Sequence, residues 1–235
     1  MAENQAPAAA GAVAGADSLF ARLKAAGLDD WERYTGHAFV RRLADGSLPE
    51  ACFRRYLGQD YLFLIHLARA YGLAVYKSES LADMRRAAAS LMAILDVEMK
   101  LHVEYCAGWG LGEAEITTLE EARETMAYTR YVIEKGLAGD LLDLHVALAP
   151  CIVGYAEIGL RLKTDPATRL DGNPYRSWIE MYAGGDYQEL ARAEVAALDR
   201  LSETRGGPGR FDSLARTFRE ATRLEAAFWD MGLDG

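Results

Sequence analysis

The chain has 235 residues, 51% hydrophobic and 26% charged, which suits one soluble globular domain with a sizeable buried core. Lys and Arg number 26 against 35 Asp and Glu, a net charge of −9, and no basic cluster is present that would neutralise phosphates, which argues against a nucleic-acid partner. Three cysteines, Cys52, Cys106 and Cys151, are odd in number and far apart, so neither a disulfide framework nor a structural zinc site is expected, and reduced thiols in the cytoplasm fit best.

Residues 1–16 are Ala, Gly and Pro with little to bury and read as a disordered tail preceding a helical domain over 17–235. The N-terminus has no positive start followed by an apolar run, and no later segment reads as the roughly 18 apolar residues of a membrane span, so neither secretion nor a membrane is expected. From Asp17 the pattern is helical, grouping Leu19, Phe20 and Leu23, then Trp31, Tyr34, Phe39, Val40 and Leu43, up to a turn at Asp45-Gly46. Ser47-Leu-Pro-Glu50 reads as a helix start with Ser47 as the cap and Pro49 in the first turn.

The helix from Glu50 to about Lys77 sets Phe53, Tyr56, Asp60, Phe63, Leu64, Leu67 and Tyr71 at intervals of three and four, so a carboxylate interrupts an aromatic stripe. A carboxylate there requires a hydrogen-bonding partner, either a buried tyrosine or arginine or a ligand. Leu81 to Trp109 continues as helix with Leu91, Leu95, Glu98, His102 and Tyr105 in register. Glu98 and His102, one turn apart, could supply two metal ligands, but no second Glu-x-x-His motif completes a di-iron set, so a structural Glu-His hydrogen bond is the preferred reading. Thr117 or Thr118 is expected to start the next helix, which carries Tyr128 and Tyr131 and ends at Lys135-Gly136.

The stretch Leu144 to Gly159 places Cys151 directly after Pro150 in an apolar helical pattern, on the face that carries Leu144, Ala147, Leu148, Gly154, Tyr155 and Ile158. Pro150 cannot donate to the Val146 carbonyl and crowds it, which favours a kink beside the thiol. Loops follow at Thr164-Asp-Pro166 and Asp171-Gly-Asn-Pro174. Then comes a short helix with Tyr175, Trp178, Ile179 and Tyr182, closed by Gly184-Gly185. After a helix over Asp186 to Thr204, the last begins near Asp212 or Ser213 and embeds Glu225 among Phe218, Ala221, Phe228 and Trp229. No alternating run reads as a strand and no repeat is found, so the fold class is all-α.

A lone thiol, two carboxylates and several tyrosines on inward helical faces suit nucleophilic attack on a flat polar heterocycle. The thiol needs a base, for which a carboxylate of raised pKa or any of His37, His66, His102 and His145 remains open.

Asp45-Gly-Ser-Leu-Pro49, Phe53-Arg-Arg-Tyr-Leu-Gly-Gln-Asp-Tyr61, Ala149-Pro-Cys-Ile-Val-Gly-Tyr155, Trp178-Ile-Glu-Met-Tyr182 and Glu225-Ala-Ala-Phe-Trp-Asp-Met231, in this order and spacing, resemble the TenA family of thiaminase II enzymes, of the cysteine-containing type. The resemblance, over about Asp17 to Leu233, implies a haem-oxygenase-like helical bundle, usually a homotetramer. Such a protein would hydrolyse 4-amino-5-aminomethyl-2-methylpyrimidine to its hydroxymethyl form, and sometimes thiamin, with no metal or organic cofactor. It further implies Cys151 as nucleophile, Glu225 as the acid exchanging protons with thiol and leaving group, Asp60 on the pyrimidine's amino and ring-nitrogen edge, and Phe63, Tyr128, Tyr155 and Tyr182 as lining. Phe63 stands where the family often has tyrosine, and Ala226 and Gly232 shrink the usual ending, which leaves the substrate more open than the reaction class. The competing readings are a metal-dependent oxidase or oxygenase built around Glu98 and His102, and a non-catalytic pyrimidine-binding protein.

Overall fold

The computed structural model describes residues 13–234, and among these apolar spacing and capping chemistry give twelve α-helices and one π-helical turn, with no strand. The all-α expectation therefore holds. Of the tail expected over 1–16, residues 1–12 lie outside the described residues. Val13 is buried against the core, and the Gly15 carbonyl accepts the Ser18 N–H at 3.2 Å.

The run expected as helical from Asp17 to Asp45 is three short helices, α1 (Leu19–Ala26), α2 (Leu28–Thr35) and α3 (Ala38–Asp45). Ser18 caps the first, and His37 Nδ1 accepts the Phe39 N–H at the start of the third. Gly46 ends α3 with φ +77°, a left-handed conformation that costs a glycine little. Ser47 is not the cap of α4 (Glu50–Lys77): its N–H donates to Asp45 Oδ1 at 2.8 Å, and Pro49 occupies the cap position.

The helical run expected over 81–109 is α5 (Leu81–Ala93), a π turn over Ile94–Glu98, and α6 (Met99–Gly108). A wider turn offsets the rotation that four-residue steps accumulate in an α-helix, so Ile94, Glu98, His102 and Cys106 point inward. Leu95, expected inward, is instead 49% exposed, as are Val97 and Leu101 to similar degrees. Thr117 and Thr118 follow the short α7 (Glu113–Ile116), and α8 (Arg123–Ala138) starts later than either. Its start is set from α4, where Gln59 Oε1 accepts from the Ala122 N–H at 2.9 Å and from Thr125 Oγ1 at 2.6 Å.

At the centre runs α9 (Leu141–Thr164), unbroken through Pro150 and packed by α2, α4 and α8 and by α10 (Arg176–Tyr182), α11 (Gly185–Arg205) and α12 (Arg210–Leu233). Leu142, Leu144, Val146, Leu148, Val153 and Ile158 are fully buried, each contributing roughly 1.5–3 kcal/mol of transfer free energy. Contrary to expectation, this helix is long and apolar enough to cross a bilayer, but 83% of its apolar window is buried inside the protein, as a core helix requires. It opens on a capping box in which Asp140 and Asp143 exchange backbone bonds, and Arg210 at the head of α12 binds both carboxylates, at 2.7 and 2.8 Å. α12 thus begins at Arg210, earlier than expected. At Gly159 a Cβ would lie 2.6 Å from the Tyr182 Cβ and 2.8 Å from the Ala183 nitrogen, so glycine is what lets α10 rest on α9.

Candidate active site

Four long helices converge on one cavity of about 90 Å³, and its lining includes Asp60 and Phe63 from α4, Tyr128 from α8, Cys151 and Tyr155 from α9, Tyr182 from α10 and Glu225 from α12. All seven residues singled out in the sequence are therefore brought together. Of the three cysteines, only Cys151 lines the cavity.

The sulfur of Cys151 donates to the Leu148 carbonyl at 3.0 Å. Burial holds its thiol pKa well above the usual range, and the charges of Glu225, Glu194 and Asp60 push the same way, while the facing Tyr128 hydroxyl draws it partly down. Tyr128 donates to Glu225 Oε1 at 2.9 Å, so one hydroxyl stands between sulfur and carboxyl. Glu225 is 1% exposed, and burial pushes its pKa from an ordinary 4.5 up to about 8, with Asp60 adding to the rise and the Tyr128 hydrogen bond opposing it. At neutral pH the resting site is a neutral thiol beside a mostly protonated acid.

Burial also raises the pKa of Asp60, against the lowering influence of His102 and of the Tyr56 hydroxyl. His102 Nδ1 lies 3.7 Å from Asp60 Oδ2 and its Nε2 bonds the Leu57 carbonyl at 3.0 Å. The hydrogen bond expected between Glu98 and His102 is not formed; the π turn aims Glu98 at the cavity instead. No group of three or more His, Cys, Asp and Glu side chains among the described residues could hold a metal ion, so Glu98 and His102 lack the further donors an oxygenase centre needs. None of the four histidines lines the cavity. His37, His66 and His145 pair with Asp230, Glu121 and Glu194 at 3.0, 2.8 and 2.8 Å.

The walls are aromatic. Phe63 lies 5.2 Å, centroid to centroid, from Tyr128 and 6.1 Å from Phe228, and Tyr155 lies 4.9 Å from Tyr182, which meets Tyr187 edge-on at 4.7 Å. With no hydroxyl on Phe63, the one tyrosine bonded to Glu225 is Tyr128. Sequence reading did not assign four polar lining residues to the site, Tyr71, Ser90, Tyr187 and Glu98. Tyr71 belonged to the stripe carrying Asp60 and could have been found there. Tyr187 gave no signal, since it arrives through the turn at Gly184-Gly185.

Fold and site together define an all-helical protein in which a buried thiol, two buried carboxyls and aromatic walls surround one cavity. Residues 26–235 match the TENA/THI-4/PQQC family, and the chain belongs to it. It is similar to an aminopyrimidine aminohydrolase from Halalkalibacterium halodurans, 38% identical over 202 residues covering 86% of this chain and 89% of that one. Among solved structures, a protein from Silicibacter described as a TenA family transcription regulator is 43% identical with a TM-score of 0.88, covering 92% of this chain and 97% of that one. A Shewanella denitrificans domain with a haem-oxygenase-like fold, 15% identical with a TM-score of 0.72 and covering 92% of each chain, shares the fold alone. The expected haem-oxygenase-like architecture is thereby met.

Proposed function

We propose that the protein is a cysteine-dependent aminopyrimidine hydrolase of the thiaminase II type, converting 4-amino-5-aminomethyl-2-methylpyrimidine and water into the hydroxymethyl pyrimidine and ammonia. The observation that carries the reading is the line from Cys151 through the Tyr128 hydroxyl to Glu225, facing Asp60 across a ring-walled cavity. The name of the Halalkalibacterium relative supports the same class.

Asp60 binds the amino and ring-nitrogen edge, and Phe63, Tyr155 and Tyr182 hold the ring plane. A cationic arm entering the cavity favours the ionised form of Glu225, which then takes the thiol proton through Tyr128. The sulfur adds to the ring carbon next to the one bearing the arm, and the arm's nitrogen departs as ammonia with the electrons of its bond. Water adds to the methylene left behind, and its proton passes to the ammonia. As the carbon–sulfur bond breaks, Glu225 returns the stored proton to sulfur and the ring regains aromaticity. A cavity of about 150 Å³ is what takes up benzene, so the present volume requires the walls to give a little on binding.

The test is ammonia release by Cys151→Ala. The reading requires turnover to fall by at least about a thousandfold with the fold intact, and retained turnover would refute it. Tight binding of the hydroxymethyl pyrimidine by the unmodified protein, without turnover of the aminomethyl form or of thiamin, would favour a binding protein instead. The family resemblance points to a homotetramer, which sedimentation would measure, and three widely spaced cysteines suit reduced thiols in the cytoplasm.

A further inference from the structure

The cavity contains one acid for which the reaction above has no use. Glu98 ends the π turn, in the segment that also contributes Ser90, Ala93 and Ile94 to the lining. Its carboxyl forms no hydrogen bond or ion pair with any described residue, although each of the other two cavity acids has one, Asp60 toward His102 and Glu225 toward Tyr128. Glu98 is half-buried in the cavity wall, and a carboxyl placed there without a protein partner is open to a group that enters the cavity. Burial and the charge of Asp60 both raise its pKa, and Tyr71, Tyr182 and Tyr187 line the same cavity.

The surroundings fix the sign of the missing partner. No Lys, Arg or His lines the cavity, and the charge of Asp60 bears on both Glu98 and Glu225, so an anionic ligand would find no cationic partner there. A cation flanked by tyrosine faces gains from the rings as well as from the carboxylate. Opening the helix by one residue at Ile94–Glu98 sacrifices regular α-helical bonding, and its evident return is to swing Glu98 inward while Leu95 and Val97 go outward.

We propose that Glu98 is the specificity residue of this site: it receives a positively charged substituent on the ring, a protonated amine or a quaternary nitrogen, and so distinguishes a charged arm from a neutral hydroxymethyl arm of the same size. The proposal rests on the aminopyrimidine reading for the identity of the ring, not for the sign of the charge. It also gives the reaction a direction, because conversion of the ammonium arm to a hydroxyl removes the contact that held the substrate and leaves a product that Glu98 no longer binds.

The experiment compares Glu98→Gln with Glu104→Gln, which removes the same charge from an exposed position on α6. In ammonia-release kinetics Glu98→Gln should raise KM for the aminomethyl pyrimidine by about tenfold or more, leave kcat within about threefold, and leave the inhibition constant of the hydroxymethyl pyrimidine within about twofold. Glu104→Gln should change none of these. Equal weakening of charged and neutral ligands, or no effect on either, overturns the proposal. If the unmodified protein turns over no aminopyrimidine, the enzymatic reading falls separately. The charge preference is then read by calorimetry with benzylammonium against benzyl alcohol, where loss of the cation's advantage in Glu98→Gln alone supports the assignment and an unchanged ratio overturns it.

Discussion

The two sides of the cavity are built differently. On one side α9 and α12 are buried along most of their length and locked by capping, by Arg210 and by close glycine contacts; on the other, α5 has no buried residue and passes through a π turn into α6, with Leu81, Met92, Leu95, Val97 and Leu101 exposed. Cys151 and Glu225, the proposed nucleophile and its proposed proton partner, sit on the rigid side, where sub-ångström placement matters most. Glu98 sits on the loose side. A small cavity that must widen for a substituted ring can do so cheaply only where few packing contacts are lost. The contrast teaches that the groups proposed for chemistry and the one proposed for selection stand on elements packed to different degrees.

Breaking the rigid side at its acid should have the largest effect. Glu225→Gln is expected to lower turnover by about 10²–10⁴-fold. It should also change stability in a defined direction. The folded pKa of about 8 lies above the ordinary 4.5, so the contribution from burying the neutral acid is fully present below about 4.5 and is lost as pH rises through 8. The unfolding free energy of the unmodified protein, from denaturant titrations, should therefore fall relative to Glu225→Gln between pH 5 and 9, by an amount on the order of a few kcal/mol. Parallel pH curves would contradict this. Next in size, Leu142→Ala, at a fully buried position of α9, should cost about 2–5 kcal/mol in urea unfolding.

Gly159→Ala sharpens the contrast further. Its methyl would press on the Tyr182 Cβ and on the Ala183 backbone, costing about 1–3 kcal/mol and moving a cavity wall, so KM should rise along with the loss of stability. Smallest is Leu81→Ala on the exposed start of α5, expected to stay within about 0.5 kcal/mol of the parent in the same unfolding assay. A cost of several kcal/mol there would erase the distinction between the two sides.

What could be read from the amino-acid order alone follows the same division. Asp60, Cys151 and Glu225 were legible because each interrupts an apolar face at undisturbed α-helical spacing, and burial of that face dictates where the side chain goes. Glu98 was not. The segment Ile94-Leu-Asp-Val-Glu98 contains no Gly or Pro to announce an extra residue in the turn, and one residue of slip moved Leu95 out and broke the expected pairing with His102. The start of α8 was missed because Gln59, far away in sequence, supplies the bonds that local threonines were expected to make. Ser47 offered a familiar cap, but Asp45 competed for its backbone.

Arg210 joins the heads of α9 and α12 by gripping both carboxylates of one capping box. Two helices pinned at a shared origin cannot slide along each other by a helical turn of about 5.4 Å without releasing that guanidinium. The staple therefore acts as an axial stop, setting how far along its own helix each reactive group stands. Distance between sulfur and carboxyl is in this sense decided at the far end of the bundle, by a residue that never meets the ligand.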